Sequence, residues 1–245
     1  MKDLKLDKSC KKGSKGRKVK LIQEWLCLHG FHVYIDGDFG PATDYAVRKF
    51  QRKKKLKADG VIGKTSFTEL VKPMTMAIIS ASRVKKSLGQ MAVYYAKQHL
   101  KQHPREIGGQ NKGPWVRLYM TGNEGRAWPW CAGFISFILK QAGRSLKIST
   151  PVKTSFSCNT LAANAKRKGI FIDGSKIKDK SQITPGSIFL SRKTASNWVH
   201  AGIVIQVDDE VFHTIEGNTD DKGSREGHEV CRRIRGYKKK DFILI

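Results

Sequence analysis

Ala127-Trp-Pro-Trp-Cys-Ala-Gly-Phe-Ile-Ser-Phe-Ile-Leu139 is the stretch on which the reading of this chain turns. Gly122, Gly125 and Pro129 make its approach a loop. Beyond it Phe134, Phe137, Ile138 and Gln141 recur at helical intervals, so Cys131 stands in the first turn of a buried helix. That turn leaves backbone N–H groups without intrahelical partners, and the positive end of the helix dipole favours an anion. Both effects depress a thiol pKa and enrich the thiolate, which is the nucleophile. The same N–H groups are placed to hold an oxyanion. A cysteine also packs well as a small hydrophobe, and position alone leaves the two readings even.

The other cysteines lack this setting on sequence grounds. Cys10 sits in the Lys-rich start, Cys27 falls mid-helix, and Cys158 and Cys231 lie in irregular or polar segments. Five cysteines at long spacings suggest neither a disulfide framework nor a zinc site, and no metal or cofactor is called for.

Downstream, short apolar runs alternate with turn signals at 186–190, 199–207, 210–215 and 241–245. This predicts an antiparallel sheet with helices packed to one side, an α+β arrangement. A thiolate enzyme needs an imidazole and a group to orient it. Trp198-Val-His-Ala-Gly-Ile-Val-Ile-Gln-Val207 and Glu210-Val-Phe-His-Thr-Ile-Glu-Gly-Asn218 read as a hairpin turning near Asp208 and Asp209. Side chains alternate along strands, so an even register gathers His200, Glu216 and Asn218, and an odd one separates His200 from the other two. His213 points to the opposite face, and residues 220–228 read as a loop. His200 is then the base, Glu216 its carboxylate partner and Asn218 a further orienting group. Trp128, Trp130 and Trp198 are candidates either for the walls of a substrate groove or for the core.

Upstream, Val19, Ile22, Leu26 and Phe31 with Trp25 mark an amphipathic helix that stops near Gly30. Pro41 opens a second helix with Ala46, Val47 and Phe50 inside, and a third carries Phe67, Leu70 and Val71 until Pro73 closes it. Asp36-Gly37 with Gly40 and Thr43 recurs as Asp59-Gly60 with Gly63 and Ser66, two tight turns that each launch a helix. Asp36 and Asp38 lack the later ligands of a calcium loop. Phe39 reads as core. Residues 73–87 read as a linker, followed by a helix burying Met91, Tyr94, Tyr95 and Leu100. The first dozen residues read as a loose end.

Residues 13–72, through DGDFGPATDYAVRKFQ and ADGVIGKTSFTEL, resemble the peptidoglycan-binding domain found beside many wall hydrolases. Residues 88–245, through PWCAGFIS, WVHAGIVIQ and TIEGNT, resemble the CHAP family, cysteine- and histidine-dependent amidohydrolases and peptidases of the papain-like, NlpC-type group. GGQNKGPWVRLY is also familiar from such domains. The resemblance implies a papain-like catalytic domain over 88–245, a small three-helix domain over 1–72, Cys131 and His200 as a dyad, and Glu216 and Asn218 as support. It implies hydrolysis of an amide bond in peptidoglycan, either at N-acetylmuramoyl-L-alanine or within the stem or cross-bridge. Trp130 and Trp198 are then substrate-binding candidates. The calcium site of some relatives is not carried over, because no acidic cluster precedes Cys131.

With 47 basic against 21 acidic residues the net charge is +26, a field that seeks polyanions. The basic residues are spread over both halves, which suits anionic wall polymers better than a shaped nucleic-acid groove; no specific nucleic acid is expected. Apolar residues, at 39%, suffice for a core, and no run approaches the length of a membrane span. The N-terminus lacks a secretory signal pattern, so a monomer is expected in the cytoplasm of the producing cell, acting on the wall after release, as a phage-type lysis enzyme does. Two competing readings are a wall-binding protein without activity and a basic nucleic-acid-binding protein with salt-dependent affinity.

Overall fold

Val19, Ile22, Trp25 and Leu26 fall on one stripe and bury the first helix, α1 (Arg17–Leu28), in a common core. Pro41 sits in the first turn of α2 (Pro41–Lys53), and Gly63 precedes α3 (Lys64–Ile78). Phe39 is fully buried in the same core. The computed structural model describes residues 2–81, 86–220, 222 and 227–245.

Each loop ahead of α2 and α3 is tied by a buried glutamine. Gln23 Nε2 donates to Asp36 Oδ1 at 2.8 Å, to the Asp38 carbonyl at 2.9 Å and to Thr43 Oγ1 at 3.1 Å, while its Oε1 accepts from the Gly37 N–H. Gln51 repeats this on Asp59 Oδ1, the Val61 carbonyl, Ser66 Oγ and the Gly60 N–H. Gly37 and Gly60 both hold positive φ, near +80°, which a glycine adopts without steric cost.

The third helix does not close at Pro73 as expected. It runs through that residue to Ile78, so residues 73–78 of the expected linker are helical. A proline inside a helix forfeits one backbone hydrogen bond. Here the extra turn buries Met74 and Ala77, and Gln98 Nε2 and Gln141 Nε2 donate to carbonyls at its C-terminal end. Of that linker, residues 82–85 lie outside the described ones. Residues 2–12 are held at two points where a loose end was expected: Asp3 pairs with Arg117 at 2.6 Å and Cys10 bridges to Ile62.

Ser87 and Gln90 form a reciprocal capping box that starts α4 (Leu88–Leu100). Its buried side is Met91, Ala92, Tyr95, Ala96 and His99; Tyr94, expected inside, turns outward, and Leu100 is only partly covered. Then come α5 (Pro114–Tyr119), α6 (Cys131–Leu146) and α7 (Cys158–Arg167).

Among the described residues six strands follow: β1 (Phe171–Ile172), β2 (Ile188–Thr194), β3 (Asn197–Val207), β4 (Val211–Thr219), β5 (Glu229–Gly236) and β6 (Lys240–Ile243). They form one antiparallel sheet in the order β1-β6-β2-β3-β4-β5, so the chain is α+β. Helix α6 packs on β3 and β4, and α7 on β3. Phe189, Val204, Phe212 and Phe242 build a second, smaller core with Ile177 and Ile183. The larger core runs unbroken from α1 to the sheet. Trp25 meets Trp115 edge-on at 6.0 Å, and Arg117 binds both Glu24 and Glu124.

The hairpin of β3 and β4 joins both registers weighed from the sequence. Beside the turn Val207 faces Phe212 and Gln206 faces His213, an odd register. A bulge at Ile205 absorbs one residue, after which Val204 faces Thr214 and Ile203 faces Ile215, an even register. A single extra residue thus returns Glu216 to the face that His200 shares.

Candidate active site

Cys131 is the first residue of α6, which has no side-chain N-cap, so its first-turn N–H groups lack a side-chain acceptor and that of Ala132 is directed at the sulfur. The thiol is held well below the ordinary thiol range. The largest cause is a hydrogen bond from the Cys158 thiol; the charge of His200 and the Ala132 N–H add to it, against the opposing effect of burial.

His200 enters from β3, only 5% exposed. Its Nε2 lies 2.7 Å from Glu216 Oε2. This commits one ring nitrogen; the buried Nδ1 makes no hydrogen bond and is the nitrogen left to act on Cys131, whose charge reaches the ring. Burial alone would depress the imidazole. Cys131 and Glu216 overcome it and raise the pKa to about 9. Glu216 is fully buried; burial would raise its pKa, yet Arg235 and His200 bring it down to about 2. The arrangement therefore favours thiolate beside imidazolium over the neutral pair.

Several contributors escaped the sequence reading. Arg235 Nε donates to Glu216 Oε1 at 2.8 Å and Nη2 to Oε2 at 2.6 Å, a bidentate grip from β5. Thr214 Oγ1 donates to Glu216 Oε1 at 2.6 Å. Strand β5 was not foreseen, since Arg232, Arg233 and Arg235 among only three apolar residues look like polar loop; Cys231 belongs to it. A Cβ on Gly202 would stand 2.6 Å from Glu216 Cγ and 2.5 Å from Phe189 Cε1, so only glycine lets the carboxylate cross to His200. Asn218, buried, takes a left-handed φ of 58° within the bulge that shifts β4 against β5. It is Glu216, not Asn218, that bonds the imidazole Nε2.

Cys158 corrects the view that no other cysteine shares the loop-to-helix setting. It is the first residue of α7, capped by Ser157 Oγ, and its Sγ lies 3.8 Å from Cys131 Sγ. Ser157 followed by Leu161, Ala162 and Ala165 was the legible signal.

Trp130 and Trp198 are core residues and do not line an open groove. Trp130 is fully buried, stacked on Tyr119 with its Nε1–H on Glu106, and Trp198 Nε1–H donates to Asp241 at 2.7 Å. Trp128, half-buried, and Phe156, exposed, lie 6.2 Å apart edge-to-face. His99, buried against Tyr119 and Gln141, is depressed to about 4 by burial and stays a neutral core residue. His213 is turned to Asp208. Among the described residues no three His, Cys, Asp or Glu side chains are gathered to hold a metal ion, and no helix is long and apolar enough to cross a membrane.

Residues 15–70 match the family described as putative peptidoglycan binding domain. A zinc D-Ala-D-Ala carboxypeptidase of Streptomyces albus G is 39% identical over 61 residues, 24% of this chain and 24% of that protein. The match thus spans about a quarter of that curated relative. Among solved structures, the SleB N-terminal domain is 35% identical, covering 27% of this chain and 93% of its own, with a TM-score of 0.27. A fused Zn-dependent amidase/peptidase/peptidoglycan-binding domain-containing protein of Clostridium acetobutylicum is 43% identical, covering 26% of this chain and 28% of its own, with a TM-score of 0.26.

Proposed function

We propose that this chain is a cysteine-dependent peptidoglycan hydrolase of the papain-like, CHAP type, in which residues 1–72 hold the wall and residues 88–245 cut it. The observation that carries the reading is the hydrogen-bonded chain His200–Glu216–Arg235, acting electrostatically on Cys131 at an uncapped helix start, in the same molecule as a match to a peptidoglycan-binding family. The net charge of +26 supports anionic wall polymers as further partners. The enzyme acts as a monomer on the wall once released from the producing cell, as a phage-type lysis enzyme would.

The thiolate of Cys131 attacks the amide carbonyl, and the Ala132 N–H with its first-turn neighbours holds the oxyanion. His200 gives its Nδ1 proton to the leaving amine. The neutral ring then takes a proton from water, which attacks the thioester and frees Cys131. Glu216 keeps the ring oriented and its cation stable, and Asn218 supports the end of β4. The bond is the N-acetylmuramoyl-L-alanine amide or one within the stem or cross-bridge.

Purified walls should lose turbidity with the wild-type chain and not with Cys131→Ala, and mass spectrometry of the fragments identifies the new terminus. Equal clearing by both overturns the mechanism. Wall binding without clearing by the wild type leaves a binding protein instead.

A further inference from the structure

Hydrolysis by Cys131 and His200 has no need of a second sulfur, yet one is present. Cys158 Sγ stands 3.8 Å from Cys131 Sγ, both residues are buried, and each begins a helix. The segment leading into α7 is tied to the body of α6 and back to α7 itself. Ser136 Oγ donates to the Ser155 carbonyl at 2.7 Å and accepts from the Ser155 N–H at 2.9 Å, and Asn164 Nδ2 donates to the Lys153 carbonyl at 3.0 Å. A disulfide bond is about 2.05 Å long, so side-chain rotation needs to close less than about 2 Å. Cys10, Cys27 and Cys231 are distributed over a bridge to Ile62, α1 and β5.

From this geometry we infer that Cys131 and Cys158 form a reversible disulfide that silences the nucleophile under peroxide and returns it to a thiolate under dithiol reductants. The Cys131 thiolate attacks one oxygen of hydrogen peroxide, the O–O bond breaks, and hydroxide leaves with the His200 proton as water. Cys131 is now a sulfenic acid, oxidised by two electrons. Cys158 sulfur attacks it, the S–O bond breaks, and the departing hydroxide takes the Cys158 proton. Two thiols and one peroxide give one disulfide and two waters. A dithiol supplies two electrons and two protons in the reverse direction. The resolving thiol also diverts Cys131 from the irreversible sulfinic and sulfonic states. Bond formation stands independently of the hydrolase reading; the consequence for wall cleavage rests on it.

The full chain is treated with hydrogen peroxide, alkylated and digested with trypsin. Cys131 lies in peptide 127–140 and Cys158 in peptide 154–166. The expected product joins these two peptides and separates under dithiothreitol. In Cys158→Ala, and in the near-isosteric Cys158→Ser, the fraction of starting wall-clearing activity recovered by dithiothreitol after peroxide falls by about tenfold relative to wild type. Peptide 127–140 found only alkylated or as the sulfinate, with no joined species, overturns the inference. So does equal recovery in wild type and both variants. A joined pair in a protein whose reduced form never clears walls retains the switch and removes the hydrolase reading; clearing without any joined pair does the reverse.

Discussion

Arg235 on β5 reaches along the sheet to grip Glu216 on β4 as a bidentate pair, with both guanidinium–carboxylate distances under 3 Å. The carboxylate is fully buried, and the arginine is its link toward solvent. Replacing Arg235 with Leu leaves a buried charge with only His200 and Thr214 as partners. Removing one partner of a buried pair costs about 3 kcal/mol. Arg235→Leu is therefore expected to lower the thermal midpoint and to reduce wall clearing by roughly tenfold or more, through a poorly held base. Arg235→Lys should recover part of the stability, since it restores charge without the fork. Unchanged clearing by Arg235→Leu would remove Arg235 from the positioning chain.

The pH profile follows from the same chain of contacts. The working form is thiolate with imidazolium. Its alkaline limit is the His200 pKa of about 9, and its acid limit is the Cys131 thiol, held well below its ordinary value of 9.0. A plot of kcat/KM should be bell-shaped, with its upper limb near pH 9. For stability the signs differ by group. Glu216, lowered to about 2 from 4.5, stabilises above pH 4.5, and that share is lost as pH falls through about 2. The His200 share is complete below pH 6.5 and lost as pH rises through about 9. The Cys131 share runs oppositely, complete above 9.0 and lost as pH falls through the lowered thiol pKa. The last two offset, so thermal midpoints should be flat between pH 6.5 and 9 as far as this pair decides them. A steep slope there would contradict the ion pair.

Gly202→Ala tests the passage by which Glu216 reaches His200. The added methyl meets Phe189 and the Glu216 side chain at 2.5 and 2.6 Å. Overpacking of this kind costs about 1–3 kcal/mol. Displacing the carboxylate by about 1 Å is expected to cost roughly a hundredfold in activity. Circular dichroism and melting should thus show a folded protein whose wall clearing has nearly vanished. Full activity in the folded variant refutes the argument.

Arg117→Met addresses the junction between the first three helices and the rest. Arg117 bonds Asp3, Glu24 and Glu124, each within 2.7 Å, and Glu24 is buried. Leaving Glu24 unpaired should cost roughly 3 kcal/mol. For a chain of this size that lowers the midpoint by about 10 °C. Burial already raises the Glu24 pKa, so the deficit should shrink as pH falls toward 5 and the carboxyl is neutralised. A midpoint unchanged at neutral pH would show that the cluster contributes little.

Much of this was legible because the signals were local. The helix opened by Cys131, the echo of Asp36-Gly37 in Asp59-Gly60 and the pairing of a histidine strand with a Glu-x-Asn strand depend on neighbours in sequence. What escaped depends on residues far apart. Gln23 and Gln51 lie well upstream of the turns they tie, and nothing near them announces a buried amide. Arg235 reaches Glu216 only through β5, whose arginine-rich composition hides a strand. The bulge at Ile205 leaves no mark on the hydrophobic pattern, yet it decides which face Glu216 occupies. Pro73 misled because its lost hydrogen bond is outweighed by burial of Met74 and Ala77, a tertiary effect. Trp130 misled because an indole beside a nucleophile suits a groove and a core equally until packing decides.

The contact of Trp25 with Trp115, together with the Arg117 cluster, gives the molecule no elbow. If the three helices grip a strand of wall, the sulfur meets that strand at one set reach and angle, with no tether to swing through. Scissions would then fall at a constant offset from the places held, spaced by the molecule's own dimensions.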